Sequence, residues 1–308
     1  MITLKNVTKY FGRVKAVNDL SFSVNSSEVI GFLGPNGAGK TTTLRMMTGF
    51  FSPDRGSIIV DDINIERDPV AVQKKIGYLP ENNPLYTNML VSEFLDLAAR
   101  LHQISPSERK EATGRVVHAV GIEEMFYRPI RELSKGFRQR VGIAAALIHK
   151  PDIIILDEPT EGLDPNQRGD IRALIKDLAK KHTVIMSTHV MQEASAVCSR
   201  LLILNKGGLV ADGTVQELSA KAEGKRMLSV DIEGDDVEQE LTRLAGGRDT
   251  FSVKDRKKNR FSATLSIEEN REIRPDISKL AWKHHWILWD MHEEERKLED
   301  IFQELTKE

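Results

Sequence analysis

The N-terminal part of the chain alternates apolar and polar residues in short runs that end at a glycine-rich turn. The runs ITLKNVTKYFG, DLSFSV and EVIGFLG, from Ile2 to about Gly34, have the period-two spacing of β-strands. The stretch KTTTLRMMTG after the turn is typical of a helix, and SIIVDDINI predicts two short strands around Asp61 and Asp62. The pattern therefore predicts strands that lead through a tight loop into a helix.

A helical pattern replaces the strands between residues 91 and 150. The segment VSEFLDLAARLHQ places its apolar residues at helical spacing. The segment SPSERKEATGRVVHAVG begins with a capping box from Ser105 to Glu108, with Pro106 at the first helical position. We expect these helices to form a subdomain over about residues 85–150.

Strands return after Pro151. The run IIIIL is continuous and apolar, as expected of a strand buried on both faces of a parallel sheet. Asp164 and Pro165 begin a predicted helix that ends near Lys181, and TVIMSTH and RLLILN are further strands. Strands that alternate with helices predict an α/β fold, into which the helical block is inserted.

A second, smaller unit of the α+β type is predicted from about residue 221. The polar linker AKAEGKR precedes a strand MLSVDIEG, a helix VEQELTRLA, a hairpin FSVKDRKKNRFSATLSI, a helix near residues 271–284 and a strand WILWDM. A terminal amphipathic helix would follow, with one apolar face made of Leu298, Ile301, Phe302 and Leu305. The predicted division is therefore 1–220 and 221–308.

The aromatic composition changes at the same boundary. All three tryptophans lie in the second unit, and we interpret them as core residues of that unit: Trp282, Trp286 and Trp289. This shift supports two domains, which 308 residues can accommodate.

Composition narrows the class of protein. The net charge of −2 argues against a general nucleic-acid-binding protein, which needs a basic excess to neutralise phosphates. The single cysteine, Cys198, rules out an intrachain disulfide and favours a reducing compartment. No apolar stretch reaches the length of a transmembrane helix, and the N-terminus lacks the layout of a signal peptide. We expect a cytoplasmic protein, or one held at a membrane by a partner.

The glycine-rich turn fits the P-loop pattern, between a strand and a helix as that motif requires. Its glycines let backbone N–H groups converge on phosphate oxygens, and the helix start adds its positive end. Lys40 would neutralise the β- and γ-phosphates of ATP, the Thr41 hydroxyl would ligate Mg²⁺, and Thr42 would lie beside the phosphates. An ordinary structural loop is the alternative interpretation of the string alone. The candidate nucleotide-binding residues are Gly34, Pro35, Asn36, Gly37, Ala38, Gly39, Lys40, Thr41 and Thr42.

Two adjacent carboxylates follow the apolar run IIIIL. Asp157 and Glu158 come at the carboxyl end of this strand, where open α/β sheets bind their ligands. Asp157 suits a supporting role at Mg²⁺, and Glu158 could orient or deprotonate the attacking water. Such a pair is unremarkable alone, but the upstream P-loop favours a catalytic role.

The segment LSKGFRQR, from Leu133 to Arg140, resembles the LSGGQ signature of ABC (ATP-binding cassette) ATPases and lies between the P-loop and the carboxylate pair, as in that family. The resemblance implies that this segment of one subunit caps the γ-phosphate of ATP held on another. Lys135 and Phe137 depart from the family's usual glycine and glutamine. The matching residues are Ser134, Lys135, Gly136 and Phe137.

Further positions resemble ABC elements in the expected order. Tyr10 occupies the place of the aromatic that stacks on adenine, with an ordinary strand aromatic as the alternative interpretation. Asp164 ends the segment EGLD, which resembles the D-loop that crosses the dimer interface. His189 matches the switch histidine at the γ-phosphate, although a lone histidine at a strand end is usually incidental. Glu81 stands where most of the family has the Q-loop glutamine, and its oxygen could also serve Mg²⁺.

The resemblance covers roughly residues 2–220 and implies the P-loop NTPase fold of an ABC ATPase with an inserted helical subdomain. It implies an ATPase subunit that binds ATP and Mg²⁺, forms a homodimer and drives an integral membrane permease at the inner face of the membrane. The segment VSEFLDLAARLHQ and the loop at 81–90 would contact the permease. The segments LPENNPLY and LDEPTEGLDPNQ are similar to those of ABC-2-type exporter ATPases, including the gliding-motility-associated group.

Two other classes of ATP-binding protein fit the sequence less well than a transporter subunit. Soluble ABC ATPases that act on the ribosome or nucleic acid usually carry two cassettes, long coiled coils or zinc-binding cysteines, whereas this sequence has one P-loop and one cysteine. A regulatory module that binds ATP without hydrolysis is disfavoured by the presence of Glu158 and His189. The transported substrate is not encoded in these motifs.

Overall fold

The alternating N-terminal runs form a four-stranded antiparallel sheet in the computed structural model of the chain, in the order β2-β1-β4-β5. Its strands are β1 (Ile2–Phe11), β2 (Val14–Val24), β4 (Arg55–Val60) and β5 (Ile63–Asn64). The structure describes residues 1–221, 225–245, 251–257, 259–268 and 271–294, together with Phe302 and Thr306.

A six-stranded sheet forms the second layer of the first unit, in the order β10-β9-β3-β8-β7-β6. The strands from β9 to β6 are parallel, and β10 pairs antiparallel with β9 at the edge. The apolar run predicted as a doubly buried strand is β7, and all four of its residues are buried. The strands are β3 (Val29–Leu33), β6 (Ile76–Leu79), β7 (Ile153–Leu156), β8 (Thr183–Thr188), β9 (Arg200–Asn205) and β10 (Gly208–Gly213).

The helices predicted after the glycine-rich loop, in the block 91–150 and after Asp164 are present. The block between β6 and β7 contains three helices that pack against one another, α3 (Val91–Leu101), α4 (Pro106–Val120) and α5 (Lys135–Leu147). The others are α1 (Lys40–Met47), α2 (Pro69–Gln73), α6 (Pro165–Ala179), α7 (Met191–Val197) and α8 (Val215–Lys221). Of these, α2, α7 and α8 are additional helices that the sequence pattern did not predict. The α/β fold with an inserted helical block is therefore confirmed.

One apolar core joins the two sheets of the first unit. It contains strand residues of both sheets and the buried side chains of α1, among them Leu44, Met46 and Met47. Burial of such side chains contributes roughly 1.5–3 kcal/mol each. The core therefore fixes α1 between the sheets, and with α1 the loop that precedes it.

The second unit begins at Gln216 and has the β-α-β-β-α-β arrangement of ferredoxin-like domains. Its sheet is antiparallel, in the order β12-β13-β11-β14. The elements are β11 (Lys225–Glu233), α9 (Val237–Ala245), β12 (Phe251–Lys257), β13 (Arg260–Glu268), α10 (Arg274–Lys283) and β14 (Ile287–Glu294). The chain divides between Val215 and Gln216, inside α8. Independent folding of the two parts stays a prediction.

The structure differs from the sequence prediction at two tryptophans and at one helix cap. Trp286 is a core residue, but Trp282 is 84% exposed and Trp289 is 55% exposed, so the core interpretation is wrong for these two. At Ser105 the predicted capping box does not form, because the Ser105 hydroxyl donates to the Glu108 carboxylate instead of accepting a backbone N–H. The predicted terminal helix falls mostly outside the described residues, at Leu298, Ile301 and Leu305.

Candidate active site

The glycine-rich loop connects β3 to α1, as the sequence predicts. Gly37 and Gly39 have φ values of 81° and 97°, which side chains with a Cβ rarely adopt. A Cβ at Gly39 would also lie 2.5 Å from the Ala16 carbonyl oxygen. Glycine at these positions therefore lets the backbone turn tightly and expose its N–H groups at the start of a helix, a geometry that binds phosphate.

Lys40 is the first residue of α1, and it is only 5% exposed. Its ammonium donates to the carbonyl oxygens of Gly34 at 2.8 Å and Pro35 at 3.3 Å. It also lies 3.3 Å from a carboxylate oxygen of Glu158. A buried cation needs such partners, and these contacts hold the ammonium at the mouth of the loop.

Asp157 is fully buried at the end of β7. Its carboxylate accepts hydrogen bonds from Thr41 Oγ1 at 3.1 Å and from Ser187 Oγ at 2.6 Å. The Tyr78 hydroxyl lies 3.4 Å away, and burial, reinforced by the Asp157 charge, raises the pKa of Tyr78 to about 12. Tyr78 is therefore a protonated donor, and three hydroxyls orient this carboxylate.

The Glu158 carboxylate lies between the side chains of Lys40 and His189. One carboxylate oxygen faces Lys40, and the other lies 3.0 Å from Nδ1 of His189. Its backbone adopts a φ of 48°, unusual for a residue with a side chain, and its N–H donates to Ser187 Oγ at 2.9 Å. Ser187 thus holds both members of the Asp157–Glu158 pair. Sequence reasoning missed it, although it lies on β8 only two residues before His189, which directly follows that strand.

The loop, Lys40, Glu158 and His189 line a cleft of about 520 Å³, whereas the buried Asp157 and its partners Tyr78 and Ser187 lie outside its lining. The predicted residues that line it are Asn36, Gly37, Ala38, Gly39, Lys40, Thr41, Thr42, Glu81, Glu158 and His189. Sequence reasoning did not single out Val14, Lys15, Ala16, Glu161 and Lys206, which also line it. Two lysines besides Lys40 therefore border a cleft shaped for an anion.

Glu81 brings a further carboxylate to this cleft. Burial raises the pKa of its carboxyl, and the neighbouring charges of Glu161 and Asp157 add to the effect. A cation placed among these groups would relieve their repulsion. The oxygens of Thr41, Asp157 and Glu81 form the hard donor set that Mg²⁺ prefers, so these residues fit that ion.

The signature segment lies outside this cleft. Ser134 caps α5, and its exposed hydroxyl accepts from the Phe137 N–H at 3.3 Å. The Lys135 side chain lies so close to Gly162 that a Cβ there would clash, and Gly136 is buried. Among the described residues, none of this segment lines the P-loop cleft. A role for Ser134, Lys135, Gly136 and Phe137 in nucleotide binding stays a prediction.

Two other predicted contacts also lie apart from the cleft lining. Tyr10 is on β1 with an exposed ring, 5.6 Å from the Nζ atom of Lys15, which does line the cleft. Asp164 caps α6, since its carboxylate accepts from the Gln167 N–H at 2.9 Å. Adenine stacking by Tyr10 and an interface role for Asp164 stay predictions.

The P-loop, the buried carboxylate pair and the facing histidine define a P-loop nucleoside-triphosphatase site on an α/β fold. Comparison with known proteins is more specific, because a family model described as ABC transporter matches residues 17–161. This chain belongs to the ATP-binding subunits of the ABC transporter family.

Individual relatives agree with this assignment. The ABC transporter ATP-binding protein YxlF of Bacillus subtilis is 38% identical over 219 residues, which cover 71% of this chain and 72% of YxlF. The linearmycin resistance ATP-binding protein LnrL of the same organism is 31% identical over 309 residues, covering 99% of this chain and 98% of LnrL. A bacterial ABC transporter cassette solved as a dimer has a TM-score of 0.64 and 27% identity, covering 70% of this chain and 99% of that one.

Proposed function

We propose that this chain hydrolyses Mg-ATP to drive export through a separately encoded membrane permease of the ABC-2 type. The placement of Glu158 carries the proposal of hydrolysis. Its carboxylate borders the phosphate-binding cleft between Lys40 and His189, where it can meet a water molecule beside the γ-phosphate. Phosphate release by the purified chain tests this activity, and a chain that binds ATP without turnover contradicts it.

Different residues of the cleft have different roles in phosphoryl transfer. The P-loop N–H groups and Lys40 bind the phosphates, and Glu158 accepts the proton of the attacking water. His189 holds the Glu158 carboxylate through Nδ1, and Ser187 fixes the peptide that carries it. These contacts are preorganised, which is how an enzyme lowers the cost of reaching the transition state.

Mg²⁺ would be held by Thr41 and by the carboxylates of Asp157 and Glu81. When bound, it supplies positive charge that offsets the negative charge of the phosphates. Within the described residues no cluster of three or more His, Cys, Asp or Glu is arranged to hold a metal. This suits an ion that usually takes one or two carboxylates and completes its shell with phosphate and water oxygens.

We propose that two copies of the chain form the working site together. Ser134 is exposed at the N-terminus of a 13-residue helix, a geometry that binds anions, yet it lies outside the chain's own cleft. A second copy could present this helix start to the γ-phosphate. A similar cassette has been solved as a dimer, which supports the proposal.

Replacement of Ser134 by arginine tests this arrangement in a Glu158→Gln background, where slow hydrolysis should let an ATP-bound dimer accumulate. The bulky cation should block dimer formation while ATP affinity stays within about twofold, because the P-loop is unchanged. Light scattering with and without Mg-ATP measures the dimer. A double variant that dimerises like the Glu158→Gln parent contradicts capping by Ser134.

The export proposal rests on the sequence segments that resemble ABC-2 exporters and on similarity to LnrL, a resistance protein, over nearly the whole chain. In the described parts of the chain, every helix is too short or too polar to cross a lipid bilayer. A groove of about 390 Å³ beside Pro84 and Phe94 is lined in part by the two segments predicted to contact the permease.

The second unit should be dispensable for nucleotide binding. A fragment of residues 1–220 keeps every residue that lines the cleft. Its Mg-ATP affinity, measured by calorimetry, should lie within about threefold of that of the full chain. The Lys40→Ala fragment serves as the control without binding. A folded fragment that fails to bind nucleotide contradicts the independence of the first unit.

A further inference from the structure

A buried carboxylate lies behind the cleft and is not one of the residues that line it. Glu193 is in the first turn of α7 and is only 5% exposed. Full burial of a carboxylate is costly unless hydrogen-bond donors compensate it. The identity of those donors shows what the charge holds in place.

The donors come from the two segments that carry the catalytic side chains, one that follows β7 and one at the end of β8. The Thr160 hydroxyl, two residues after Glu158, donates to Oε2 of Glu193. The Thr188 hydroxyl, next to His189, lies 3.4 Å from the same oxygen, and it also accepts the Val190 N–H at 3.0 Å. One buried oxygen atom therefore joins the backbone after Glu158 to the backbone around His189.

The other oxygen of Glu193 extends this connection to the segment that resembles the D-loop. Nη1 of Arg168 lies 3.9 Å from Oε1 of Glu193. Nε of the same arginine donates to the Leu163 carbonyl at 2.9 Å. Arg168 is 43% exposed, so its pairing with Glu193 is screened by solvent, whereas the Thr160 contact is buried.

We infer that Glu193 is a positioning residue that sets the distance between Glu158 and His189. The two catalytic side chains contact each other at 3.0 Å on the cleft side, and Glu193 joins the segments that carry them on the buried side. This closes a ring of contacts that passes through Thr160 and Thr188. Loss of one link frees the segments to separate, and a displacement near 1 Å can lower a rate about 10²-fold. The inference rests on the proposed ATPase activity.

The test is replacement of Glu193 by alanine, with glutamine as the conservative variant. We expect Glu193→Ala to lower kcat about 10- to 100-fold while the KM for ATP changes less than about threefold, because the P-loop is untouched. Glu193→Gln keeps an oxygen acceptor for Thr160 and should recover most of the lost kcat. Steady-state phosphate release gives both parameters, and thermal unfolding shows whether each variant is folded.

Thr160→Val provides a second approach that leaves the buried charge in place, and it decides the matter if Glu193→Ala fails to fold. It should lower kcat in the same direction, and adding it to Glu193→Ala should cause little further loss, since both remove one link. Glu108→Ala is the matched control. Glu108 is also in the first turn of a helix and accepts a hydroxyl hydrogen bond, from Ser105, but it is exposed and is not one of the residues that line the cleft.

The result that would overturn the inference is a folded Glu193→Ala or Thr160→Val variant with kcat within about twofold of the parent. A loss of kcat matched by an equal loss of ATP affinity would also overturn it, because that indicates general damage to the fold. These failures leave the proposed function intact as long as Glu158→Gln shows the large loss of hydrolysis rate expected of it. Parent-like hydrolysis by Glu158→Gln would contradict both.

Discussion

Replacement of Glu158 by glutamine is expected to lower the rate of ATP hydrolysis by about 10²- to 10⁴-fold. The amide has nearly the shape of the carboxylate but cannot accept the proton of the attacking water. ATP binding should persist, because Lys40 keeps its contacts with Gly34 and Pro35, and Asp157 is unchanged. Single-turnover phosphate release and calorimetric titration with Mg-ATP measure the two properties separately.

The control for this experiment is Glu124→Gln, which makes the same chemical change at an exposed position. It should leave turnover unchanged. Hydrolysis by Glu158→Gln at the rate of the unsubstituted chain would contradict the catalytic assignment. Loss of ATP binding together with hydrolysis would instead indicate that the substitution disturbs Lys40, its neighbour at 3.3 Å.

Replacement of Lys40 by alanine is expected to weaken Mg-ATP binding by a factor on the order of 10² or more. The ammonium would make charge-assisted hydrogen bonds to two phosphates, each worth about 1.5–3 kcal/mol. Lys15 and Lys206 also line the cleft, but neither begins the helix that follows the loop. Calorimetry with Mg²⁺ present measures the affinity directly.

Lys180→Ala is a suitable control, because this lysine caps the C-terminus of α6, is 73% exposed and pairs with Asp177. The ATP affinity of the Lys180→Ala variant should equal that of the unsubstituted chain. Removal of Lys40 also leaves the buried Glu158 carboxylate without its cation, so thermal unfolding should accompany the titration. An unaltered ATP affinity in a folded Lys40→Ala variant would contradict the P-loop assignment.

The predictable parts of the site are those fixed by backbone chemistry. Gly37 and Gly39 predict the tight loop, because few other residue types adopt their positive φ values. The continuous apolar run before Asp157 indicates a buried strand, and the carboxyl ends of parallel strands meet at one sheet edge. Loop and carboxylates could therefore be placed together from the sequence pattern, whereas His189 is assigned by its resemblance to the switch histidine of ABC ATPases.

The missed parts depend on contacts between distant segments. Ser187 has no distinguishing neighbours in the sequence, and only the pairing of β7 with β8 brings it to Asp157 and Glu158. The exposure of Trp282 is equally invisible, because helical spacing does not tell which face of a short helix packs on the sheet. Ser105 meets the Glu108 side chain through a choice of rotamers that local pattern does not determine.

At residue 158 the requirements of stability and activity conflict, because the left-handed backbone favours glycine whereas hydrolysis needs the glutamate carboxylate. A φ of 48° costs a residue with a Cβ on the order of 1 kcal/mol, which glycine would not incur. Lys40 would still keep its two carbonyl partners if the carboxylate were lost. Directed evolution that selects only for heat resistance should therefore tolerate glycine at residue 158 and return well-folded, inactive proteins. Thermostabilised libraries of this chain need a turnover screen alongside the thermal one.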